Sequence, residues 1–151
     1  DDLIESKENK EVKKIFEKKG EAYFRKCEQK TADWIAQCVR GTLVSCGGGF
    51  YKVDNLKNLG TVVLLDASFE WIHNRLKTAK NSKQKLAKRP LFADEKKAKA
   101  LYREREKAYR KVADVIVDVE KFSLEEQLKY IAKKCGVKEG ERTEESQSSR
   151  E

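Results

Sequence analysis

The chain reads as an α/β protein. Three features lead there: short runs of consecutive apolar residues, amphipathic helices between them, and a glycine triplet closing the first run. The runs are Thr42-Leu43-Val44-Ser45-Cys46, Thr61 to Leu65 and Asp114 to Val119. Near-continuous apolar strands separated by helices predict parallel pairing with helices on both faces, because each crossover carries the chain back over the sheet. At 151 residues the chain is long enough for one domain with one core, and too short for two full-sized ones.

Taken in order, Val12, Ile15 and Phe16 form a short apolar stripe that stops at Gly20. Phe24, Cys27, Thr31, Trp34, Ile35 and Cys38 then recur every three or four residues up to Gly41, so two amphipathic helices are expected. The strand at 42–46 ends in Gly47-Gly48-Gly49, where the missing side chains let backbone come close to something. A short helical segment from Asn55 to Leu59 and a turn at Gly60 lead into the second strand. The helix from Ser68 to Thr78 carries Phe69, Ile72 and Leu76 on one face.

Lys80 to Lys88 has little apolar content and reads as a loop, closed by Arg89-Pro90-Leu91-Phe92. Asp94 is placed to N-cap a helix through Tyr109. After the third strand, Ser123-Leu124-Glu125-Glu126 has the capping-box pattern, and its helix ends near Cys135 before Gly136. The expected organisation is a core at 1–135, with a lid at about 78–93, and a disordered polar tail at 136–151. Ligands of parallel sheets sit beyond the carboxyl ends of the strands, which assigns Gly47 to Gly49 and Asp118 to the binding crevice.

The net charge of +8 favours anionic ligands without choosing among them. Lysines alternate with glutamates at helical spacing, the pattern of solvated helix faces. A nucleic-acid binder needs clustered charge with exposed aromatics, whereas Phe24, Trp34 and Phe69 fall on core stripes, so no nucleic-acid partner is expected. No run approaches the roughly 18 apolar residues of a membrane span, and no export signal opens the chain, so no membrane partner is expected either. The four cysteines lack a CxxC pair and the lone histidine, His73, sits beside Asn74 on a helix. Free thiols in a cytoplasmic protein and a surface histidine without a role follow, and a zinc site does not.

Asp1, Arg25, the glycine triplet, Arg89 and Arg105 point together at one anion-handling site. Their order and flanking residues carry a resemblance. Asp1-Asp2-Leu3-Ile4-Glu5, Gly20-Glu21 with Phe24-Arg25 and Glu28, Val44-Ser45-Cys46-Gly47-Gly48-Gly49, Arg89-Pro90-Leu91, and Glu104-Arg105 with Tyr109 and Ala113-Asp114 resemble the shikimate kinases, bacterial members above all. The resemblance runs from Asp1 to about Lys133. It implies a three-layer parallel sheet of the P-loop nucleoside-monophosphate-kinase type and transfer of the ATP γ-phosphoryl group to the 3-hydroxyl of shikimate. It implies ATP and Mg2+ as cofactors, shikimate as the small-molecule partner, and a monomer.

Roles carry over by residue. Asp1 resembles the second acid of the family's D-x-D pair, beside the attacking hydroxyl. Arg25 and Arg105 resemble the clamp on the substrate carboxylate, where a planar guanidinium makes paired hydrogen bonds that lysine cannot. Gly47, Gly48 and Gly49 resemble the loop offering backbone N–H groups to a substrate hydroxyl. Arg89 resembles the lid arginine that stabilises the moving phosphoryl group. Arg75 matches the arginine that stacks on adenine, although the stretch from Arg75 to Arg89 is longer than usual. Ser45 matches a position that holds a magnesium-bound water.

No G-x-x-x-x-G-K-[ST] occurs in the sequence. In the family that motif and the first acid of D-x-D precede the position of Asp1. The expectation is therefore an N-terminally truncated chain without its central strand and P-loop, inactive as a fragment, whose strands at 42–46 and 61–65 face a gap and weaken its stability. The alternatives are a non-catalytic module that binds shikimate or another carboxylate, and a related small-molecule P-loop kinase such as a gluconate kinase.

Overall fold

The computed structural model of the chain describes residues 1–78 and 95–137. Helix α1 (Asp2–Glu8) stops at Asn9, whose left-handed φ of 49° turns the chain, and Glu5 Oε1 accepts the N–H of Val12 at 2.7 Å to fix the entry into α2. Helix α2 (Val12–Cys38) breaks at Gly20, where φ 78° and ψ 171° lie in a region that a Cβ disfavours. The two amphipathic helices expected on either side of this glycine are thus present, joined end to end. Phe16 and Phe24 pack across the break with ring centroids 4.8 Å apart.

The α2 stripe divides between two apolar clusters. Ile15 and Phe24 bury against Ile4, and Ala32 and Ile35 bury against Phe50 and Val53. Each large side chain so covered contributes about 1.5–3 kcal/mol. Trp34, expected on this stripe, is half exposed: the buried sequence runs Phe24, Glu28, Ala32, Ile35, and Trp34 falls one position off it. A single 3-10 turn (Phe50–Lys52) and α3 (Leu56–Leu59) follow the glycine triplet.

Strand β1 (Val63–Asp66) pairs in parallel with β2 (Val115–Asp118), Val63 opposite Val115 and Asp66 opposite Asp118. Helices α4 (Phe69–Thr78) and α5 (Glu95–Val112) lie between them in the chain. The parallel α/β pattern holds, in a chain that is mostly helical. Segment 42–46, expected as a strand, is irregular and exposed, with Leu43 at 87%. Among the described residues no strand pairs with it, and without a partner its backbone groups have no ladder to join.

Asp114 clips the start of the sheet: its carboxylate accepts from Val62 N–H at 2.8 Å and from Lys57 Nζ at 2.6 Å. Tyr102 of α5 donates to the Ala67 carbonyl at 2.7 Å, and Arg110 pairs with Asp66 at 2.6 Å. Helix α6 (Leu124–Cys135) starts on the expected capping box, with both the Ser123 and Glu126 bonds formed, and ends at Gly136 in the left-handed region. Asp94, Arg89 and nearly all of the lid, with most of the tail, lie outside the described residues.

Candidate active site

The glycine triplet meets three of the predicted residues, one glycine to each. A Cβ on Gly47 would stand 2.6 Å from Asp1 Oδ1; on Gly48 it would stand 2.6 Å from Arg105 Nη1; on Gly49 it would overlap the Arg25 guanidinium, with Cζ at 2.7 Å. Only glycine admits these approaches without displacing a partner.

The loop's hydrogen bonding is one-sided. Its carbonyls are all engaged: Gly47 O accepts from Phe50 N–H at 3.0 Å, Gly49 O from Lys52 N–H at 3.1 Å, and Gly48 O from the Tyr109 hydroxyl at 2.7 Å. The N–H groups of Gly47, Gly48 and Gly49 have no acceptor among the described residues. A row of unclaimed donors beside guanidinium groups suits the oxygens of a polar or anionic ligand.

The two arginines differ. Arg25 is committed on α2: Nη1 pairs with Glu28 Oε2 at 2.5 Å, while Nη2 and Nε bond Glu21 Oε1 at 2.8 and 3.1 Å. Glu28 is 3% exposed, so Arg25 is the group that neutralises a buried carboxylate. Hydrogen bonding from Arg25 holds the Glu21 carboxyl below its ordinary range, with Lys52 and Arg105 adding to the effect. Arg105 has no ion pair among the described residues; its guanidinium lies beside the Tyr109 hydroxyl. Burial pushes that hydroxyl's pKa up, against the pull of Arg105.

Asp1 is the N-cap of α1, yet its carboxylate makes no capping bond and is left facing Gly47. A cavity of about 40 Å³ lies among Asp1, Glu28, Ser45, Cys46, Gly47 and Phe50. An open hollow of about 700 Å³ between α1 and the start of α2 contains none of the clamp residues.

A sequence profile of shikimate kinases matches residues 1–136. The chain belongs to the shikimate kinase family. The shikimate kinase of Helicobacter hepaticus is 36% identical over 125 residues, covering 83% of this chain and 72% of that protein. That of Sulfurihydrogenibium is 39% identical, covering 80% and 70%, and that of Lactococcus lactis is 34% identical, covering 91% and 83%. Shikimate kinases are ATP-dependent kinases that phosphorylate shikimate, and the match places this chain among them.

Of the other predicted residues, Ser45 lines the small cavity beside Asp1 and Gly47, and Arg75 makes none of the corner's contacts. Arg75 on α4 lies over the Trp71 ring, 5.0 Å from its centroid. Ser45 is exposed, and its hydroxyl has no hydrogen-bond partner among the described residues. No group of three acidic, histidine or cysteine side chains suited to a metal occurs among them. Asp118 ends β2, at the carboxyl end of the strand as expected, and its Oδ1 accepts from the N–H groups of Glu120 and Lys121 in the turn that follows. His73, expected on the surface, is largely covered, stacked on Phe69 with centroids 5.5 Å apart and 4.0 Å from Glu95.

Sequence reasoning gave no role to Glu21, Glu28 or Tyr109. The spacing shows which residues can meet, though not what they do. Positions 21, 25 and 28 share one helix face at i, i+4 and i+7, and Tyr109 stands one turn after Arg105.

Proposed function

We propose that the corner made by Asp1, Arg25, Gly47 to Gly49 and Arg105 is the acceptor site where this shikimate kinase binds shikimate. Arg105 takes the substrate carboxylate, helped by the N–H groups of Arg25 that its glutamates leave free. The loop N–H groups hold a ring hydroxyl. Asp1 faces the 3-hydroxyl, orients it and accepts its proton as the oxygen attacks. The new bond joins that oxygen to the γ-phosphorus, the bond to the β,γ-bridging oxygen breaks, and ADP leaves with the electron pair.

Arg75 and Arg89 act on the nucleotide side in this reading: the first as a planar surface for the base, the second as a cation over the phosphates. Ser45 is assigned only a water-mediated contact to magnesium when that ion arrives with the nucleotide. The four thiols stand free, which accords with a reducing cytoplasm.

The single observation behind the proposal is that an Arg105 guanidinium and an Asp1 carboxylate, the first without an ion pair and the second without a hydrogen-bond partner among the described residues, stand on neighbouring glycines of one loop. Calorimetric titration with shikimate tests it. The chain should bind, and Arg105→Ala should weaken binding by about tenfold or more, the usual worth of a charge-assisted bond. Absence of binding by folded protein, or an unchanged affinity in the variant, would overturn the assignment.

A further inference from the structure

We propose that Tyr109 is a positioning residue for shikimate: its hydroxyl holds the Gly48 carbonyl and so keeps the loop's N–H groups turned toward the ligand. The inference rests on the acceptor-site reading above and adds a residue to it.

A peptide carbonyl and the N–H of the next residue point in opposite directions, because the unit is planar and trans. Fixing the Gly48 carbonyl therefore fixes the direction of the Gly49 N–H. Phe50 and Lys52 secure the carbonyls on either side through bonds of the 3-10 turn, which forms locally. The Gly48 carbonyl is different, since its partner comes from α5, 61 residues along the chain. Without that bond it has no donor among the described residues, and the Gly48–Gly49 peptide is free to rotate, since glycine imposes little restriction on φ and ψ.

Tyr109 is well held for this task. Its ring packs edge-to-face on Tyr51, with centroids 5.3 Å apart, and Tyr51 belongs to the turn that follows the triplet. A Cβ on Gly48 would stand 3.2 Å from the Tyr109 oxygen and 2.6 Å from Arg105 Nη1, so one side chain touches both the loop and the clamp. Tyr109 thereby sets the distance between the loop's donors and the arginine expected to hold the carboxylate. It has no assigned contact with the substrate.

The test is Tyr109→Phe, which keeps the ring packing and removes the hydroxyl. Shikimate binding should weaken about 3- to 10-fold, the net worth of one hydrogen bond. Thermal stability should fall modestly as well, because the bond is present without ligand. The amide resonances of Gly48 and Gly49 should move in the unliganded variant, and Tyr51→Phe should leave both affinity and these resonances near wild type. Affinity within about twofold of wild type, with unmoved glycine amides, would overturn the latch while leaving the acceptor site standing. Failure of the wild-type chain to bind shikimate would instead sink the site reading, and the latch's purpose with it.

If Tyr109→Phe does not fold, the wild-type protein supplies the answer. In an equal mixture of H2O and D2O, a hydroxyl held by a carbonyl exchanges slowly and splits the Tyr109 Cζ resonance in two. A single averaged line means a freely exchanging hydroxyl and overturns the latch.

Discussion

The glycine corner and the β1–β2 sheet are built on opposite terms. In the corner every glycine faces a partner, the buried carboxylate of Glu28 is neutralised by Arg25, and the three loop carbonyls are all bonded. In the sheet, Val117 is fully covered while Leu65 and Ile116 are 60% and 39% exposed. The site is held by ion pairs and by bonds between side chains and backbone, linking α2, the loop and α5. Its geometry does not depend on a wide sheet. The sheet relies on strand pairing and apolar cover, which two strands supply on one face only.

The largest expected effect breaks the corner. Arg25→Ala leaves Glu28 buried without its counter-charge, which should cost about 2–3 kcal/mol of stability, somewhat below the usual figure for a fully buried pair because Arg25 is partly exposed. Urea denaturation should show the loss, and shikimate binding should disappear with it. Adding Glu28→Gln should recover part of the stability and none of the binding, since only the unpaired charge is relieved. An Arg25→Ala variant as stable as wild type would mean that charge does not hold the corner together.

The corner was also the more legible region in the sequence. Asp1, Arg25, Gly47 to Gly49, Arg89 and Arg105 could be grouped through their order, their flanking residues and the family resemblance these carry; the structure brings all of them together except Arg89, which lies outside the described residues. Roles for Glu28 and Tyr109 were not legible in the same way. A glutamate on a charged helix and a tyrosine near a helix end have many uses, and only the packing shows that one is buried and the other reaches the Gly48 carbonyl. The helices and the two paired strands could be read from periodicity. The segment at 42–46 could not: its apolar run states a strand's needs, but a strand exists only where a neighbour accepts its bonds.

A smaller effect sharpens the comparison from the side of the sheet. Ser123→Ala removes the cap of α6, the helix that packs on β2. It should cost about 1 kcal/mol of stability, read as a lower urea midpoint. Shikimate affinity should be unchanged, because no bond links α6 to the corner among the described residues. A loss of affinity matching the loss of stability would show that the two regions are coupled, and that the division drawn here is false.

The smallest effect concerns acid. The Asp114 carboxyl is held below its ordinary range by the Lys57 ammonium and then by the Val62 N–H. A group depressed in the folded state contributes stability above its unfolded pKa, and loses it as pH falls through the folded value. The clip on the sheet should therefore weaken only below the ordinary aspartate range. Asp114→Asn retains an oxygen for Val62 but not the charge for Lys57. Its urea midpoint should sit slightly below wild type at neutral pH, and the gap should close as the solution is acidified. In the corner, Glu21 is depressed by Arg25 in the same sense, so the variant should still lose stability in acid through that pair. A gap that stays constant down the acid limb would show that Asp114 acts by shape and hydrogen bonding alone, and that charge stabilises the corner but not the sheet.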